Sequence, residues 1–359
     1  MSRLLIKEAV FEKVTVGFQG ESISSYFLLI KTSEEFQGFF GPVYKPYLSA
    51  YMELCRLLLD KDPLRTEAIW KILWDSQLGG RTGLFMEFMS AIDCALWDIK
   101  GKYFHAPVYE LLGGRTRSSV PCYASMLGFN EAEKGAVSIA KQYYMSGFEF
   151  QKWPLRFQYH GNIEEHARNV RELVEGVPDC NFMFDVFGKW NYNQFLAFVK
   201  YTKDLKITWI EEPLPSESYI NMNLSSSLLP LAFGEHLSHV YEFTPFATNS
   251  GVVFLQPDIG RCGGITEAMK ILGLAKAFGK RIIPHGHNLL PALHLAASQP
   301  SDTLPMVEYH ITIEPRRQCF YKNPVIPKGD LLEIGSIIGL GMDYDQDKIE
   351  RVETICSIS

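Results

Sequence analysis

Residues 181–213 read NFMFDVFGKWNYNQFLAFVKYTKDLKITWIEEP. Two short apolar runs flank a stretch that can form a helix, and the runs end in the acids Asp185 and Glu211. A buried strand, a helix and a second buried strand in succession are typical of a parallel βαβ unit. This stretch therefore predicts an α/β fold whose strands carry acidic side chains at their carboxyl ends.

The same unit recurs on both sides of this stretch. The apolar runs that qualify as strands are VPCYAS, FEFQKW, NFMFDV, ITWIEEP, LPLAFGEH, VVFLQPD, RIIPHG and PMVEYH. Helical stretches such as NIEEHARNVRELVEG and GITEAMKILGLAKAFGK separate them. Eight strands that alternate with helices predict a (β/α) barrel of the TIM type over residues 119–325, with catalytic groups at the carboxyl ends of the strands.

The two ends of the chain have a different pattern. FEKVTVGF and SYFLLIKT alternate in polarity, which favours an antiparallel sheet, and PLRTEAIWKILWDSQ and FMEFMSAIDCALWDIKGKYF have the apolar spacing of helices. Residues 1–118 are therefore predicted to form an α+β domain. Residues 326–359 are strand-rich, and we expect them to return to that first domain.

The composition is that of an ordinary globular protein, with 47% hydrophobic residues, 21% charged residues and a net charge of −6. A mixed, slightly acidic chain gives no reason to expect nucleic acid as a partner. We also expect no membrane span, since no apolar run is long enough, and no signal peptide at the N-terminus. Seven scattered cysteines favour reduced thiols and a cytoplasmic location.

Polar residues end five consecutive predicted strands at intervals of 26, 24, 23 and 27 residues, which is one βα unit each time: Asp185, Glu211, Glu235, Asp258 and His285. A single acid after a strand is often only a helix N-cap. Five in register favour a shared site. Three clustered carboxylates repel one another, a divalent cation removes that cost, and an all-oxygen donor set favours Mg²⁺ over zinc. We predict one Mg²⁺ per chain, held by the first three acids.

Asp258 and His285 lie one unit apart and are predicted to form a dyad. A carboxylate that accepts one imidazole N–H fixes the tautomer and makes the other nitrogen a better base. The alternative is a structural histidine in a loop between Pro284 and Gly286.

These motifs resemble the enolase superfamily and, within it, the mandelate racemase-like group. AIDCALWDIKGK with LLGGRTR is similar to that family's link between a capping domain and the barrel, and FMFDV, WIEEPLP and FGEH to its metal-ligand strands. LQPDIGRCGGITE and IIPHG are similar to its dyad strands. The resemblance implies that residues 1–118 cap the barrel, that Glu211 and not Glu212 binds Mg²⁺, and that the chemistry passes through an ene-diolate. It also implies that Glu308 hydrogen-bonds the substrate carboxylate, although it could be a plain core-edge acid.

The second strand, FQKWPL, departs from the racemase pattern. Lys152 aligns with the first lysine of the usual Lys-x-Lys, and Pro154 replaces the second, which would be a base. Loss of that base disfavours racemisation, whereas one histidine can remove a proton and then protonate a leaving hydroxyl.

KWPL, GEH, QPDIGRCGG and PHG are similar to rhamnonate dehydratase and its relatives, which act on acid sugars. This implies an aldonate-type substrate, with Lys152 at its carboxylate and His236 facing it. Lys152 could instead pair with a metal ligand, and His236 could cap a helix.

Two alternatives remain open at this stage. One is a racemase or epimerase of an α-substituted carboxylic acid, with Lys152 as the second base. The other is a non-catalytic regulator on the same barrel. In each case the expected partner is a small carboxylic acid, and the resemblance implies a homo-oligomer.

Overall fold

The computed structural model describes residues 4–43, 48–155, 162–219 and 229–359. Its strands are β1 Ile6–Phe18, β2 Glu21–Thr32, β3 Gln37–Val43, β4 Ser119–Ser125, β5 Phe150–Pro154, β6 Asn181–Asp185, β7 Ile207–Glu211, β8 Leu231–Phe233, β9 Val252–Leu255, β10 Arg281–Ile282, β11 Val307–His310, β12 Leu331–Glu333 and β13 Ile349–Ile358. Its helices are α1 Leu48–Arg56, α2 Thr66–Ser76, α3 Leu84–Tyr103, α4 Val108–Leu111, α5 Ala136–Met145, α6 Ile163–Gly176, α7 Tyr192–Thr202, α8 Ser216–Tyr219, α9 Val240–Thr248, α10 Gly264–Ala277, α11 Leu289–Ala297 and α12 Glu314–Gln318.

The first sheet has the order β13-β1-β2-β3, and its neighbouring strands are antiparallel. Its long strands form because β-branched and aromatic residues alternate with polar ones, which fits a pleated surface buried on one face. The last strand of the chain, β13, pairs with β1, and β12 pairs with β4. Whether the domains divide at residues 118 and 325 stays a prediction.

The second sheet has nine strands: eight are parallel, in the order β10-β9-β8-β7-β6-β5-β4-β11, and β12 pairs antiparallel with β4 beside them. The eight strands are the eight apolar runs of the sequence, so the predicted TIM-type barrel with an α+β capping domain is confirmed. The first and last strands of this order, β10 and β11, come together where Gly286 N, just after β10, donates to Glu308 Oε2 on β11 at 2.8 Å. Every strand therefore delivers its carboxyl end to one mouth.

Large side chains fill the inside of the barrel beneath that mouth. This buried cluster takes one inward residue from each of six strands or strand ends: Tyr123, Met183, Trp209, Ala232, Phe254 and Ile283. Because inward and outward residues alternate along a strand, the next inward residues lie above the cluster, at the mouth. The barrel interior is thus a packed floor, and the polar groups stand on top of it.

Helix α3 ties the capping domain to the segment that follows Asp258. Asp93 accepts hydrogen bonds from Thr266 N at 2.9 Å and from Thr266 Oγ1 at 2.5 Å, and Ser90 Oγ accepts one from Gly263 N at 2.8 Å. Gly264 must be glycine here, since its φ is +84° and a Cβ would lie 2.3 Å from Asp93 Oδ2. These contacts fix the backbone of the loop that carries the dyad acid.

In the described ranges, no helix combines the length and the apolar character that crossing a bilayer requires. All seven cysteines are free thiols, and six of them are buried. The cytoplasmic location and the homo-oligomer stay predictions.

Candidate active site

The carboxyl ends of the barrel strands bring the predicted metal ligands together. The strand register pairs Pro154 with Asp185 and Asp185 with Glu211, so these residues end their strands at one level. Glu235 follows β8 by two residues. One ligand oxygen from each of the three acids lies within 4.8 Å of the others. The acids that the spacing singled out therefore form one cluster, which we call the carboxylate triad.

The triad is buried, with fractional exposures of 5% for Asp185, 0% for Glu211 and 6% for Glu235. Burial and then the charge of Glu211 raise the pKa of Asp185 well above its ordinary value. Burial also raises the pKa of Glu211, against the opposing charge of Lys152. A divalent cation would relieve both costs, and a donor set made only of oxygen suits Mg²⁺. The residues present therefore fit the predicted metal.

Lys152, on β5, lies against this triad. Its Nζ is 2.5 Å from Glu211 Oε1 and 3.7 Å from Asp185 Oδ2. It is also 2.9 Å from Glu308 Oε1. Burial would lower the pKa of Lys152, but these carboxylates outweigh burial and hold it well above its ordinary value. Lys152 is thus an ammonium ion paired with carboxylates. The sequence left this pairing open as an alternative to a substrate-binding role.

The backbone just after two of the triad acids is left-handed. The φ angles are +56° at Phe187 and +37° at Glu212, a region that residues other than glycine seldom adopt. Phe187 N donates to Asp185 Oδ1 at 3.0 Å, and Glu212 N donates to Ala232 O at 3.0 Å. Strain of this kind persists only where surrounding contacts hold it, and it is concentrated at functional sites.

His236 lies at the edge of the triad, with 53% of its side chain exposed. Its Nδ1 is 2.8 Å from Glu212 Oε2, and its Nε2 is 3.4 Å from Glu235 Oε1. The hydrogen bond with Glu212 is the main reason that the pKa of His236 is raised. Gly234 makes this turn possible, because its φ is +137° and a Cβ would lie 2.6 Å from Phe243 Cε1. Glu212 therefore orients His236, whereas the adjacent residue Glu211 belongs to the carboxylate triad.

Asp258 and His285 form a hydrogen-bonded pair. His285 Nδ1 is 2.8 Å from Asp258 Oδ2, and His285 Nε2 is 3.1 Å from Glu235 Oε2. Burial would raise the pKa of Asp258, but the hydrogen bond to His285 and nearby positive charges lower it below its ordinary value. Burial would lower the pKa of His285, yet Glu235 and Asp258 raise it to about 9. A cation at the triad would offset Glu235 and lower that pKa. His285 Nε2 thus points to the triad.

Glu308 lies beneath the mouth on β11. Its Oε2 accepts from Gly286 N, and its Oε1 faces Lys152. Burial would raise the pKa of Glu308, but Lys152, His310 and His285 hold it well below its ordinary value. Glu308 is therefore a carboxylate. To donate a hydrogen bond to a substrate carboxylate, it would first have to gain a proton.

A cavity of about 280 Å³ opens above these groups. Five of the predicted site residues line it, namely Lys152, Asp185, Glu235, His236 and His285, together with Ser125, Leu127, Pro154, Phe187, Arg261, His287, His310, Ile313 and Arg317. The other predicted site residues, Glu211, Asp258 and Glu308, are absent from this lining and are almost fully buried. They contact side chains that do line it, since Glu211 and Glu308 contact Lys152 and Asp258 contacts His285.

Two family models match the sequence of this chain. The family model described as Enolase C-terminal domain-like matches residues 136–348. The model of the mandelate racemase/muconate lactonizing enzyme N-terminal domain matches residues 36–113. The chain belongs to the mandelate racemase/muconate lactonizing enzyme family. The resemblance to the enolase superfamily and its mandelate racemase-like group is confirmed.

Two relatives within the mandelate racemase/muconate lactonizing enzyme family are similar over most of their length. The D-galactarolactone cycloisomerase of Agrobacterium fabrum is 30% identical over 328 residues, covering 86% of this chain and 85% of the relative. The D-galactonate dehydratase of Klebsiella pneumoniae is 29% identical over 350 residues, covering 90% and 89%. Among solved structures, the 3,6-anhydro-D-galactonate cycloisomerase of Zobellia galactanivorans superposes with a TM-score of 0.81 at 26% identity, covering 98% of this chain and 100% of that one.

Several residues of this site were not predicted. Gln256 Nε2 donates to Glu211 Oε2 at 2.7 Å and so fixes a triad acid. His310 lines the cavity, and its Nε2 is 3.7 Å from Glu308 Oε1. Strand periodicity could have identified His310, because it lies two residues after Glu308 and therefore on the same face. Arg317 has no such signal, since it lies in a short helix beyond the last barrel strand.

Proposed function

We propose that the protein is a Mg²⁺-dependent dehydratase of an acid sugar, of the aldonate type that the motifs imply. The reaction removes the proton from C2, next to the carboxylate, and breaks the C3–O bond with release of water. The resulting enol takes up a proton at C3 and gives a 2-keto-3-deoxy acid. The observation that carries the proposal is His285, whose Nδ1 is held by Asp258 at 2.8 Å while its Nε2 lies 3.1 Å from a triad acid.

Asp185, Glu211 and Glu235 would hold the metal ion. When bound, Mg²⁺ supplies positive charge that stabilises the negative charge developing on the substrate carboxylate as the C2 proton leaves. Lys152 adds a fixed ammonium group on the same side, and its N–H donors can bind a carboxylate oxygen of the substrate. The buried, mutually repelling, all-oxygen triad supports this assignment.

His285 would carry the proton. Its Nε2 accepts the C2 proton, and Asp258 stabilises the imidazolium that forms, because the carboxylate already bonds the Nδ1 side. The same imidazolium then donates its proton to the C3 hydroxyl, which leaves as water from the same face. His285 thus ends the cycle in the state in which it began.

The opposite face of the site supports dehydration over racemisation. Pro154, which has neither an ionisable side chain nor an N–H, ends β5 beside Asp185. Lys152 is the lysine that remains on that strand, and three carboxylates surround its ammonium group. Racemisation needs proton transfer on both faces of the substrate, whereas the elimination needs one histidine.

Two comparisons favour a second candidate, an isomerase. The relatives from Agrobacterium fabrum and Zobellia galactanivorans are both named cycloisomerases. A racemase or epimerase would use Lys152 or another group to return a proton to C2 from the other face, whereas a cycloisomerase would open a ring without releasing water. Product analysis after turnover in D₂O separates both from dehydration. A racemase or epimerase gives inverted substrate with deuterium at C2, and a cycloisomerase gives a product that has lost no water relative to its substrate.

The test is a library of acid sugars incubated with the pure Mg²⁺-loaded protein and assayed for 2-keto-3-deoxy acids. We expect one or a few acids to react and the His285→Asn variant to be inactive on them. His105→Asn is the matched control, since His105 is exposed and its φ of +51° suits asparagine. A metal-loaded protein that dehydrates none of the acids would contradict the proposal.

A further inference from the structure

Arg317 gives the cavity a cationic group that the proposed reaction does not use. Helix α12 places it in the cavity wall, partly buried. Its Nη1 donates to His287 O at 2.6 Å and to Gly286 O at 3.4 Å. Since those carbonyls directly follow His285, the guanidinium is fixed on the same wall as the base.

Among the residues that the structure describes, no carboxylate oxygen lies within 4.0 Å of the Arg317 guanidinium, and only its Nη1 makes a hydrogen bond. The other two permanent cations of the cavity are paired. Lys152 contacts three carboxylates, and Arg261 Nε lies 3.6 Å from Asp258 Oδ2. Glu314, on the same helix, interacts with Arg317 through its charge but is not within 4.0 Å of the guanidinium, and burial raises its pKa to about 7 against the charge of Arg317. Nε and Nη2 of Arg317 make no hydrogen bond with the described residues.

We propose that the substrate carries a second carboxylate, remote from the reacting carbons, and that Arg317 binds it. The planar guanidinium fork matches a carboxylate and can form two parallel hydrogen bonds with it. This inference rests on the proposed function and narrows its substrate class from an aldonate to an aldarate, a sugar acid with a carboxylate at each end.

The size and charge of the cavity agree with a small dianion. Its volume of about 280 Å³ is at the lower end for ligand sites, so it suits a single sugar acid. A divalent cation offsets part of the charge of the triad, while Lys152 and Arg261 stay paired with carboxylates. Arg317 therefore favours a ligand with a second anionic group over a monoanion.

The competing explanation is that Arg317 only anchors the backbone at Gly286 and His287. Loss of an anchor would disturb His285 and lower kcat/KM for every substrate by the same factor. Loss of an anion site would instead weaken aldarates selectively. The comparison of the two substrate types therefore separates the explanations.

The experiment compares six-carbon aldonic and aldaric acids of matched configuration, using the Mg²⁺-loaded wild type, Arg317→Gln and Arg317→Lys. We expect kcat/KM of the wild type to favour the aldarate by about 10- to 100-fold, the usual range for a charge-assisted pair. Arg317→Gln should remove that preference through KM, and Arg317→Lys should restore part of it. Arg316→Gln is the matched control, since Arg316 is exposed and lies 3.5 Å from Glu21.

A second readout needs no turnover. Calorimetry on the His285→Asn variant measures the affinity for each acid, with and without Arg317→Gln. If the wild type dehydrates none of these acids while aldarate binding still depends on Arg317, the second-carboxylate site is supported and the proposed reaction is wrong. Dehydration of aldonates as fast as aldarates, or an equal loss on both in Arg317→Gln, would overturn the second-carboxylate site and leave the reaction standing.

Discussion

Asp93 allows a quantitative test of how the capping domain is held on the barrel. Its carboxyl is buried against Thr266, and burial raises its pKa to about 7 from a reference value of 3.8, although the Thr266 hydrogen bonds oppose the rise. Because the folded pKa is the higher one, Asp93 contributes stability that is complete below about pH 3.8 and is lost as the pH rises through 7. The rise of this pKa from 3.8 to about 7 corresponds to about 4 kcal/mol of stability in total, of which roughly 2–3 kcal/mol is lost between about pH 5 and pH 8.

The assay is urea unfolding of the wild type and of Asp93→Asn at several values of pH across that window. Asparagine does not ionise. The free energy of unfolding of the variant minus that of the wild type should therefore increase by roughly 2–3 kcal/mol between about pH 5 and pH 8. Ionisations common to both proteins cancel in the difference. The altered hydrogen bonding of the amide adds an offset that does not depend on pH. A difference that stays flat within about 0.5 kcal/mol would refute this account of the buried carboxyl.

Three further predictions concern the site itself. Glu211→Gln should weaken Mg²⁺ binding at least about 100-fold by calorimetry, and clearly more than Glu212→Gln does, because a ligand loses its charge only in the first case; equal losses would contradict the assignment of Glu211 as the ligand. His285→Asn should lower turnover by about 10²–10⁴-fold while Mg²⁺ affinity stays within a few-fold of the wild type, and a variant that keeps half of its activity would rule out His285 as the base. Gly234→Ala should lower stability by roughly 2 kcal/mol or more in thermal melts, since its Cβ would lie 2.6 Å from Phe243 Cε1 at a φ of +137°; an unchanged melting temperature would contradict this.

The fold and the triad could be predicted from the sequence because both depend on local periodicity. Short apolar runs that end in Asp185, Glu211 and Glu235 repeat at the length of one βα unit, and a parallel barrel places equivalent positions side by side. The dyad could be predicted for the same reason, because Asp258 and His285 lie one βα unit apart. The structure brings all five together at one mouth.

The other contacts could not be predicted, because they join residues that no periodicity relates. Asp93 meets Thr266 across 173 positions of the chain, and the meeting depends on how α3 crosses the barrel. The sequence offered the pairing of Lys152 with a metal ligand as an alternative, but its further contact with Glu308 follows only from the packed geometry. Arg317 enters the cavity from a helix after the last barrel strand, where the sequence carries no repeat.

Proton NMR of the reaction in D₂O tests the central claim most directly. The wild type, Mg²⁺ and an acid sugar that it consumes are followed to completion, and both product and remaining substrate are analysed. If His285 removes the C2 proton and water then leaves, the product is a 2-keto-3-deoxy acid with one solvent deuterium at C3. An epimer of the substrate with deuterium at C2 and no loss of water would contradict the claim, and would make the protein an isomerase.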